Sequence, residues 1–283
     1  MSYQFRHAIC NEIYKGWPFA DACKSMREIG YRGIEIAPFT LAEDPGTLAA
    51  DKRREYRSVI DGEGLYFAGL HWLMLAPKGL HVTTPDAELR KRSWRHVDRL
   101  IDLCADLAGD RPDNGVMVFG SPQQRGTTGG LSREDATRHL IEGLAGVAPH
   151  AEERRVTILI EPLPRNQCDV MLSLEEAVRA VQEINSPAVR TMFDTHNAVD
   201  EVEPHAQLVE RHFELVRHVH LNESDGRHPG TGDYNFVPLL EVLARRCYPG
   251  WISLEVFDFS PGPENIARDS LRYMQGQIAK LKL

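Results

Sequence analysis

The segment Val156-Thr157-Ile158-Leu159-Ile160-Glu161-Pro162 is a short apolar run that ends in a carboxylate and a proline. A run of branched and aliphatic residues of this length is typical of a β-strand, and the proline ends it. The next amphipathic stretch runs from Ser173 to Ile184, and Ser173 and Glu176 have the spacing of a helical capping box. Ser132 and Asp135, at the start of the preceding amphipathic stretch, have a similar spacing. This part of the chain therefore predicts one strand followed by one helix.

The same unit recurs along the whole chain of 283 residues. Strands that alternate with helices of this size indicate parallel β-α-β units, and eight units in succession predict a closed α/β barrel, (β/α)8, rather than an open sheet. No linker or low-complexity segment divides the chain, so we expect a single domain over residues 1–283. The predicted strands are 5–9, 33–37, 65–73, 115–119, 156–161, 189–194, 216–221 and 251–256. The predicted helices are 19–29, 47–60, 86–107, 132–153, 173–184, 204–213, 237–246 and 264–280.

The composition limits the classes of function. A net charge of −8 disfavours a nucleic-acid partner, because phosphate binding needs a local excess of Lys and Arg. No apolar run approaches the ~20 residues of a membrane helix, and the N-terminus lacks the apolar segment of a signal peptide. Five scattered cysteines without a Cys-x-x-Cys pair favour reduced thiols. We therefore expect a cytoplasmic protein with neither a nucleic-acid nor a membrane partner.

Ionisable side chains stand at the ends of the last four predicted strands. In a (β/α)8 barrel the chemistry lies at this end of the strands. Three carboxylates at one barrel mouth would repel one another, and a cation removes that repulsion. Each of these residues alone would be interpreted as an ion-pair partner. Four such residues at the same depth in the barrel favour one metal site. Two Glu, one Asp and one His suit Mn²⁺ or Mg²⁺, with Co²⁺ and Zn²⁺ as alternatives. The candidate ligands are Glu161, Asp194, His220 and Glu255.

These segments resemble the xylose isomerase-like TIM-barrel superfamily and, within it, the ketose 3-epimerase branch with its tagatose and psicose 3-epimerases. The resemblance implies one divalent metal, usually Mn²⁺, on the four candidate ligands, and it makes Glu161 and Glu255 the acid/base pair. It also implies a homo-oligomer, either a dimer or a tetramer. The matching segments are 33–39, 160–163, 193–195, 218–221, 229–232 and 253–255.

The resemblance also implies substrate contacts, with two departures from the branch. Arg227, just before a Pro-Gly-Thr-Gly turn, matches an arginine that touches substrate oxygens. Gln167 stands where these epimerases usually carry a second Glu, six residues after the first. His196 follows the metal Asp by two residues rather than three. Both departures leave the metal site intact and weaken the case for a simple ketohexose substrate.

Other residues at the barrel mouth are further candidates for substrate binding. His71 would hydrogen-bond the substrate or Glu35, and the alternative is a polar residue satisfied inside the mouth. The strand-end position of Glu35 favours a substrate contact, with pairing on the side that faces the helices as the alternative. Trp72 and Phe257 would form an apolar wall over a sugar face, although plain packing would also explain them. By strand alternation His218 lies one layer below the predicted ligand on the same strand and supports it or belongs to the core.

The predicted function is a metal-dependent sugar epimerase or isomerase that transfers a proton through a metal-stabilised enediolate on a small keto-sugar. The alternative is a metal-dependent lyase or dehydratase on a keto-sugar, inositol or dehydroshikimate-like substrate, which the departures at Gln167 and His196 keep open. An endonuclease IV-type DNA-repair enzyme is disfavoured, because strand four ends in Phe119-Gly120-Ser121 without a His and no Asp-x-His pair follows His220. A non-catalytic binding barrel is also disfavoured, because the ligand set is complete.

Overall fold

Eight parallel strands close into a barrel at the centre of the molecule. The computed structural model describes residues 3–110 and 115–281. Within these residues the strands pair in chain order, and the first strand closes the barrel against the eighth. The predicted (β/α)8 barrel is thus confirmed, while both ends of the predicted 1–283 domain lie outside the described residues. The strands are β1 Arg6–Cys10, β2 Gly33–Ile36, β3 Tyr66–Leu70, β4 Val116–Phe119, β5 Thr157–Ile160, β6 Val189–Asp194, β7 Val216–Leu221 and β8 Trp251–Leu254.

Helices follow the strands and cover the barrel. The hydroxyl groups of Ser132 and Ser173 accept hydrogen bonds from the backbone three residues later, so both helices begin at the caps that the sequence predicts. One short helix, α4, was not predicted. Among the described residues, no helix is long and apolar enough to cross a membrane. The helices are α1 Phe19–Ile29, α2 Ala50–Gly62, α3 Ala87–Ala108, α4 Pro122–Arg125, α5 Arg133–Glu153, α6 Leu174–Ile184, α7 His205–Arg211, α8 Val237–Arg245 and α9 Pro263–Ile278.

The interior of the barrel holds both apolar and ionisable side chains. Trp251, at the start of β8, packs with Ala8 and Ala68. Gly33 makes room for this indole, because an added Cβ would lie 2.8 Å from Trp251 Cζ3. Glu35 and His218 are also inside the barrel, and neither has any exposed surface. Ionisable groups buried this deeply need partners, and those partners connect the barrel interior to the candidate site.

Candidate active site

The four predicted ligands meet at the C-terminal end of the barrel. Asp194 ends β6 and pairs in register with His220 on β7. Glu161 and Glu255 directly follow β5 and β8. One ligand atom from each of the four residues lies within 4.8 Å of every other, and all four residues are buried. Four consecutive strands therefore carry one cluster of nitrogen and oxygen ligands.

His220 Nδ1 lies among the three carboxylates. It is 3.0 Å from Glu255 Oε2, 3.4 Å from Asp194 Oδ2 and 3.8 Å from Glu161 Oε1. Although they are buried, neither this nitrogen nor Glu255 Oε2 has a hydrogen-bond partner of acceptable geometry among the described residues. Such atoms are costly to leave unsatisfied, and a cation shared by one imidazole nitrogen and three carboxylates would satisfy them. The donor set therefore fits a hard or borderline divalent cation.

Crowding of negative charge changes the protonation of the cluster. Burial, reinforced by the Glu255 carboxylate, raises the pKa of Glu161 to about 8. Burial would also raise the pKa of Asp194, but the hydrogen bond and charge of His220 outweigh it and hold that pKa below its usual value. A positive ion among these carboxylates would favour their charged forms.

Two of the carboxylates have one oxygen fixed by the protein and the other turned toward the cluster. Asp194 Oδ1 accepts hydrogen bonds from the backbone N–H groups of His196, at 2.7 Å, and Asn197, at 2.8 Å. Glu255 Oε1 accepts a hydrogen bond of 2.9 Å from Trp72 Nε1. In each case the remaining oxygen faces His220. Contacts from the loops after β3 and β6 therefore hold the cluster in place.

Glu161 is positioned by residues that the sequence did not predict. Asn197 Nδ2 donates a 3.0 Å hydrogen bond to Glu161 Oε1. Gly120 leaves room for the carboxylate, because an added Cβ would collide with Glu161 Oε2. Arg125, which is fully buried, donates to the backbone carbonyls of Glu161 at 2.7 Å and of Phe119 at 2.8 Å. The short helix α4 thus ties together the ends of β4 and β5.

Glu35 lies below the cluster and contacts histidines instead of the cavity. Its Oε2 is 2.8 Å from His218 Nε2, and its Oε1 is 3.0 Å from His220 Nε2. Burial would raise the pKa of Glu35, but these two imidazoles hold it well below its usual range. The carboxylate has no exposed surface, and both of its oxygens are engaged. Glu35 therefore contacts a candidate metal ligand and not, as predicted, the substrate.

His71 has a partner that the sequence did not predict. His71 Nε2 is 2.9 Å from Glu12 Oε2, whereas His71 Nδ1 is 3.7 Å from Glu35 Oε1. Burial would lower the pKa of His71, but the Glu12 carboxylate outweighs it and raises the pKa to about 9. A protonated His71 paired with Glu12 would leave only Nδ1 able to donate a hydrogen bond to another group.

A cavity of about 200 Å³ opens above the cluster. The predicted aromatic pair lines it, with the ring centroids of Trp72 and Phe257 6.3 Å apart. Glu161 and Glu255 also line this cavity, and so do the predicted contacts His71 and Gln167. The lining includes four residues that were not predicted, namely Ser121, Pro122, Leu163 and Asn197.

Two predicted substrate contacts are engaged elsewhere. His196 Nδ1 lies 2.8 Å from the backbone carbonyl of Ser224, and its ring packs on Phe257 with the centroids 5.1 Å apart. Arg227 is exposed, and its Nε donates a 2.7 Å hydrogen bond to Asp225 Oδ2. Substrate contact by either residue would need the present partner to be exchanged, so both contacts stay predictions.

The family follows from comparison with known proteins. Residues 23–277 match the xylose isomerase-like TIM barrel family, and the chain belongs to that family. The resemblance seen in the sequence motifs is thus confirmed. Curated relatives are named as epimerases and, in one case, as a putative hydroxypyruvate isomerase, which puts the chain among the enzymes of the epimerase and isomerase class.

Two curated relatives illustrate the degree of similarity. A 3-dehydro-D-guloside 4-epimerase of Escherichia coli (strain K12) is 23% identical over 256 residues, which cover 88% of this chain and 91% of the relative. A fructoselysine 3-epimerase of Shigella flexneri is 25% identical over 268 residues, which cover 90% of this chain and 91% of the relative. Both similarities extend over most of each protein.

Solved structures show the same fold. A 3-keto-D-glucoside 4-epimerase of Escherichia coli superimposes with a TM-score of 0.81 at 20% identity, covering 96% of this chain and all 100% of that one. A D-psicose 3-epimerase of Clostridium cellulolyticum, solved with D-tagatose, gives a TM-score of 0.83 at 18% identity, covering 97% of this chain and 99% of that one. At such low identity the likeness establishes the barrel fold alone.

Proposed function

We propose that the protein is a divalent-metal-dependent sugar epimerase or isomerase that moves a proton on a carbon next to a carbonyl group. The observation that carries this proposal is the placement of Glu161 and Glu255 on one cavity, each within reach of His220 Nδ1. The activities named for the relatives, which are epimerases of sugars and sugar derivatives, support the same conclusion.

The metal would be held by Glu161, Asp194, His220 and Glu255, whose ligand atoms are already close together. Three carboxylates and one imidazole favour Mn²⁺, and Mg²⁺, Co²⁺ and Zn²⁺ are compatible with the same donors. When bound, the cation would polarise the substrate carbonyl and stabilise the negative charge that develops as the proton leaves. The proposal therefore gives the ion an electrostatic role and leaves proton transfer to the protein.

Proton transfer would be the task of the two glutamates. Glu161 follows β5 and Glu255 follows β8, so the two carboxylates reach the cavity from strands that are separated by β6 and β7. One carboxylate would take the proton from the substrate carbon, and the other would return a proton to the opposite face. Two bases on two faces give epimerisation, whereas a single base that shuttles the proton gives aldose–ketose isomerisation.

The rest of the cavity would orient the substrate and exclude water. Trp72 and Phe257 offer aromatic surface to the apolar face of a sugar ring. Leu163 adds apolar surface, and apolar surroundings weaken the solvation of a carboxylate and so make it a better base. Gln167 and Asn197 would bind hydroxyl groups, because each carries an amide that both donates and accepts hydrogen bonds.

The proposal is tested by proton exchange with solvent. The Mn²⁺-loaded protein would be incubated in D₂O with a panel of ketoses, aldoses and keto-glycosides, and deuterium at each carbon would be read by NMR. We expect deuterium at one carbon, together with formation of the epimer. Glu161→Gln and Glu255→Gln should abolish formation of the epimer, and the exposed-site control Glu134→Gln should retain it. An unsaturated, ultraviolet-absorbing product without epimer formation would instead establish the alternative lyase.

A further inference from the structure

Glu35 forms hydrogen bonds with two histidines at once, one through each carboxylate oxygen. His218 Nε2 lies 2.8 Å from Oε2, and His220 Nε2 lies 3.0 Å from Oε1. None of these three side chains has exposed surface, so water does not compete for the contacts. A carboxylate accepts hydrogen bonds and donates none, so each histidine must present an N–H group from Nε2.

We propose that Glu35 is a positioning residue that keeps the hydrogen of His220 on Nε2 and thereby leaves Nδ1 with a free electron pair for the metal. This inference rests on the proposed metal-dependent function. A metal ligand binds as the neutral imidazole, which carries one N–H, so a hydrogen that stays on Nε2 facing Glu35 leaves Nδ1 unprotonated. Nδ1 is the atom that lies 3.0 to 3.8 Å from the three candidate carboxylate ligands.

His218 has a supporting part in this arrangement. Its Nε2 holds Glu35 Oε2, which prevents the carboxylate from turning both oxygens toward other groups. Its other ring nitrogen, Nδ1, has no hydrogen-bond partner among the described residues. Transfer of the His218 hydrogen from Nε2 to Nδ1 would break its bond to Glu35, and the same change at His220 would in addition occupy the nitrogen that faces the carboxylates.

A third imidazole near Glu35 does not replace this contact. His71 Nδ1 is 3.7 Å from Glu35 Oε1, which is beyond hydrogen-bond length. His71 Nε2 is engaged by Glu12 at 2.9 Å. The short contact of Glu35 Oε1 is therefore the one with His220. A substitution at Glu35 should change the protonation of His220.

The variant Glu35→Leu tests the proposal with a side chain of similar size. Leucine has no accepting oxygen, so neither histidine keeps a hydrogen-bond partner at Nε2. The hydrogen of His220 is then free to move to Nδ1, where Glu255 Oε2 lies 3.0 Å away. We expect the affinity for Mn²⁺ to fall about 10- to 100-fold, the usual range for loss of a partner behind a metal ligand.

Two measurements that need no substrate would read the effect. Isothermal titration calorimetry gives the Kd for Mn²⁺. In the metal-free protein, ¹⁵N NMR of the imidazoles, assigned with a His220→Asn variant, shows whether Nδ1 of His220 carries a hydrogen. The matched variant His218→Gln keeps the contact between Glu35 and His220, so we expect its Kd within about threefold of the wild-type value. Circular dichroism would confirm that each variant is folded.

The outcomes separate this inference from the proposed function. A Glu35→Leu protein with the wild-type Kd would overturn the positioning role. Weakened metal binding in Glu35→Leu, together with no proton exchange on any sugar in the wild-type protein, would support the positioning role and remove the proposed activity. A wild-type protein that binds neither Mn²⁺ nor Zn²⁺ would overturn both.

Discussion

The indole N–H of Trp72 donates a 2.9 Å hydrogen bond to Glu255 Oε1 and so links the loop after β3 to the end of β8. Trp72 has a φ of 52°, a left-handed conformation that side chains of this size rarely adopt. Such a conformation persists only where surrounding contacts hold it, and the bond to Glu255 is one of them. The same bond leaves Glu255 Oε2 as the oxygen that faces His220.

Substitution of Trp72 by Phe should separate orientation from packing. Trp72→Phe removes the N–H donor and keeps an aromatic ring in the cavity wall. We expect kcat to fall about tenfold, equivalent to about 1.4 kcal/mol, with little change in KM, because Glu255 loses its fixed orientation. Steady-state kinetics would measure both. The control is Trp94→Phe, because the N–H of Trp94 bonds to the carbonyl of Val82 instead. Equal kcat values for the two variants would contradict this role.

Substitution of Gly120 by Ala should weaken metal binding without unfolding the protein. An added Cβ at Gly120 would collide with Glu161 Oε2, and the carboxylate would have to move. We expect the affinity for Mn²⁺ to fall by about tenfold or more in a calorimetric titration. Gly146→Ala is the matched control, because an added Cβ there meets nothing within 4 Å. An unchanged Kd in Gly120→Ala would show that Glu161 Oε2 does not contribute to the site.

Metal binding should strengthen as the pH rises. Burial and the Glu255 carboxylate raise the pKa of Glu161 to about 8, so a proton occupies this ligand at lower pH and must leave when the cation binds. We expect the affinity for Mn²⁺ to increase by up to about tenfold per pH unit between pH 6 and pH 8. Titrations in buffers of different ionisation enthalpy would count the released proton. An affinity that does not change over this range would contradict the raised pKa.

Removal of the buried arginine should lower the stability of the fold. Arg125→Met takes away the donors that bond the carbonyls of Phe119 and Glu161 at the ends of β4 and β5. The carbonyl of Phe119 keeps the backbone N–H of Glu161 as a donor, whereas the carbonyl of Glu161 loses its Arg125 donor. Because a buried carbonyl that loses its donor costs about 1–3 kcal/mol, we expect the free energy of unfolding to fall by about that amount. Denaturant unfolding would measure the change, and Arg133→Met, at an exposed position on α5, is the control. A loss in Arg125→Met no larger than in the control would contradict this account.

The fold and the ligand cluster could be predicted because they depend on periodic features of the sequence. Apolar β runs that alternate with amphipathic stretches specify the barrel, and the barrel brings the strand ends to one face. Glu161, Asp194, His220 and Glu255 all end or follow such runs, so their convergence follows from the topology. The capping serines of α5 and α6 were predictable for the same reason, because each depends on residues three positions apart.

The supporting contacts could not be predicted, because they depend on loop conformations. Asn197 reaches Glu161 from the turn after β6, across 36 residues of sequence. Arg125 lies in a stretch rich in Gly, Gln and Thr, where composition predicts a flexible loop and gives no sign of a buried guanidinium. Glu35 was predicted as a substrate contact because it lies near a strand end. Strand position alone does not show that His218 and His220 engage both of its oxygens.

The two-base account is tested most directly by exchange measured separately with each epimer of the substrate. The account assigns one substrate face to Glu161 and the other to Glu255, so each Glu→Gln variant should lose epimerisation and still exchange deuterium into the epimer served by the remaining glutamate. The Mn²⁺ content of both variants would be checked first. The predicted result is a reciprocal pattern, with Glu161→Gln active on one epimer and Glu255→Gln on the other. Loss of exchange from both epimers in one variant, with full exchange from both in the other, would contradict the account and identify a single base.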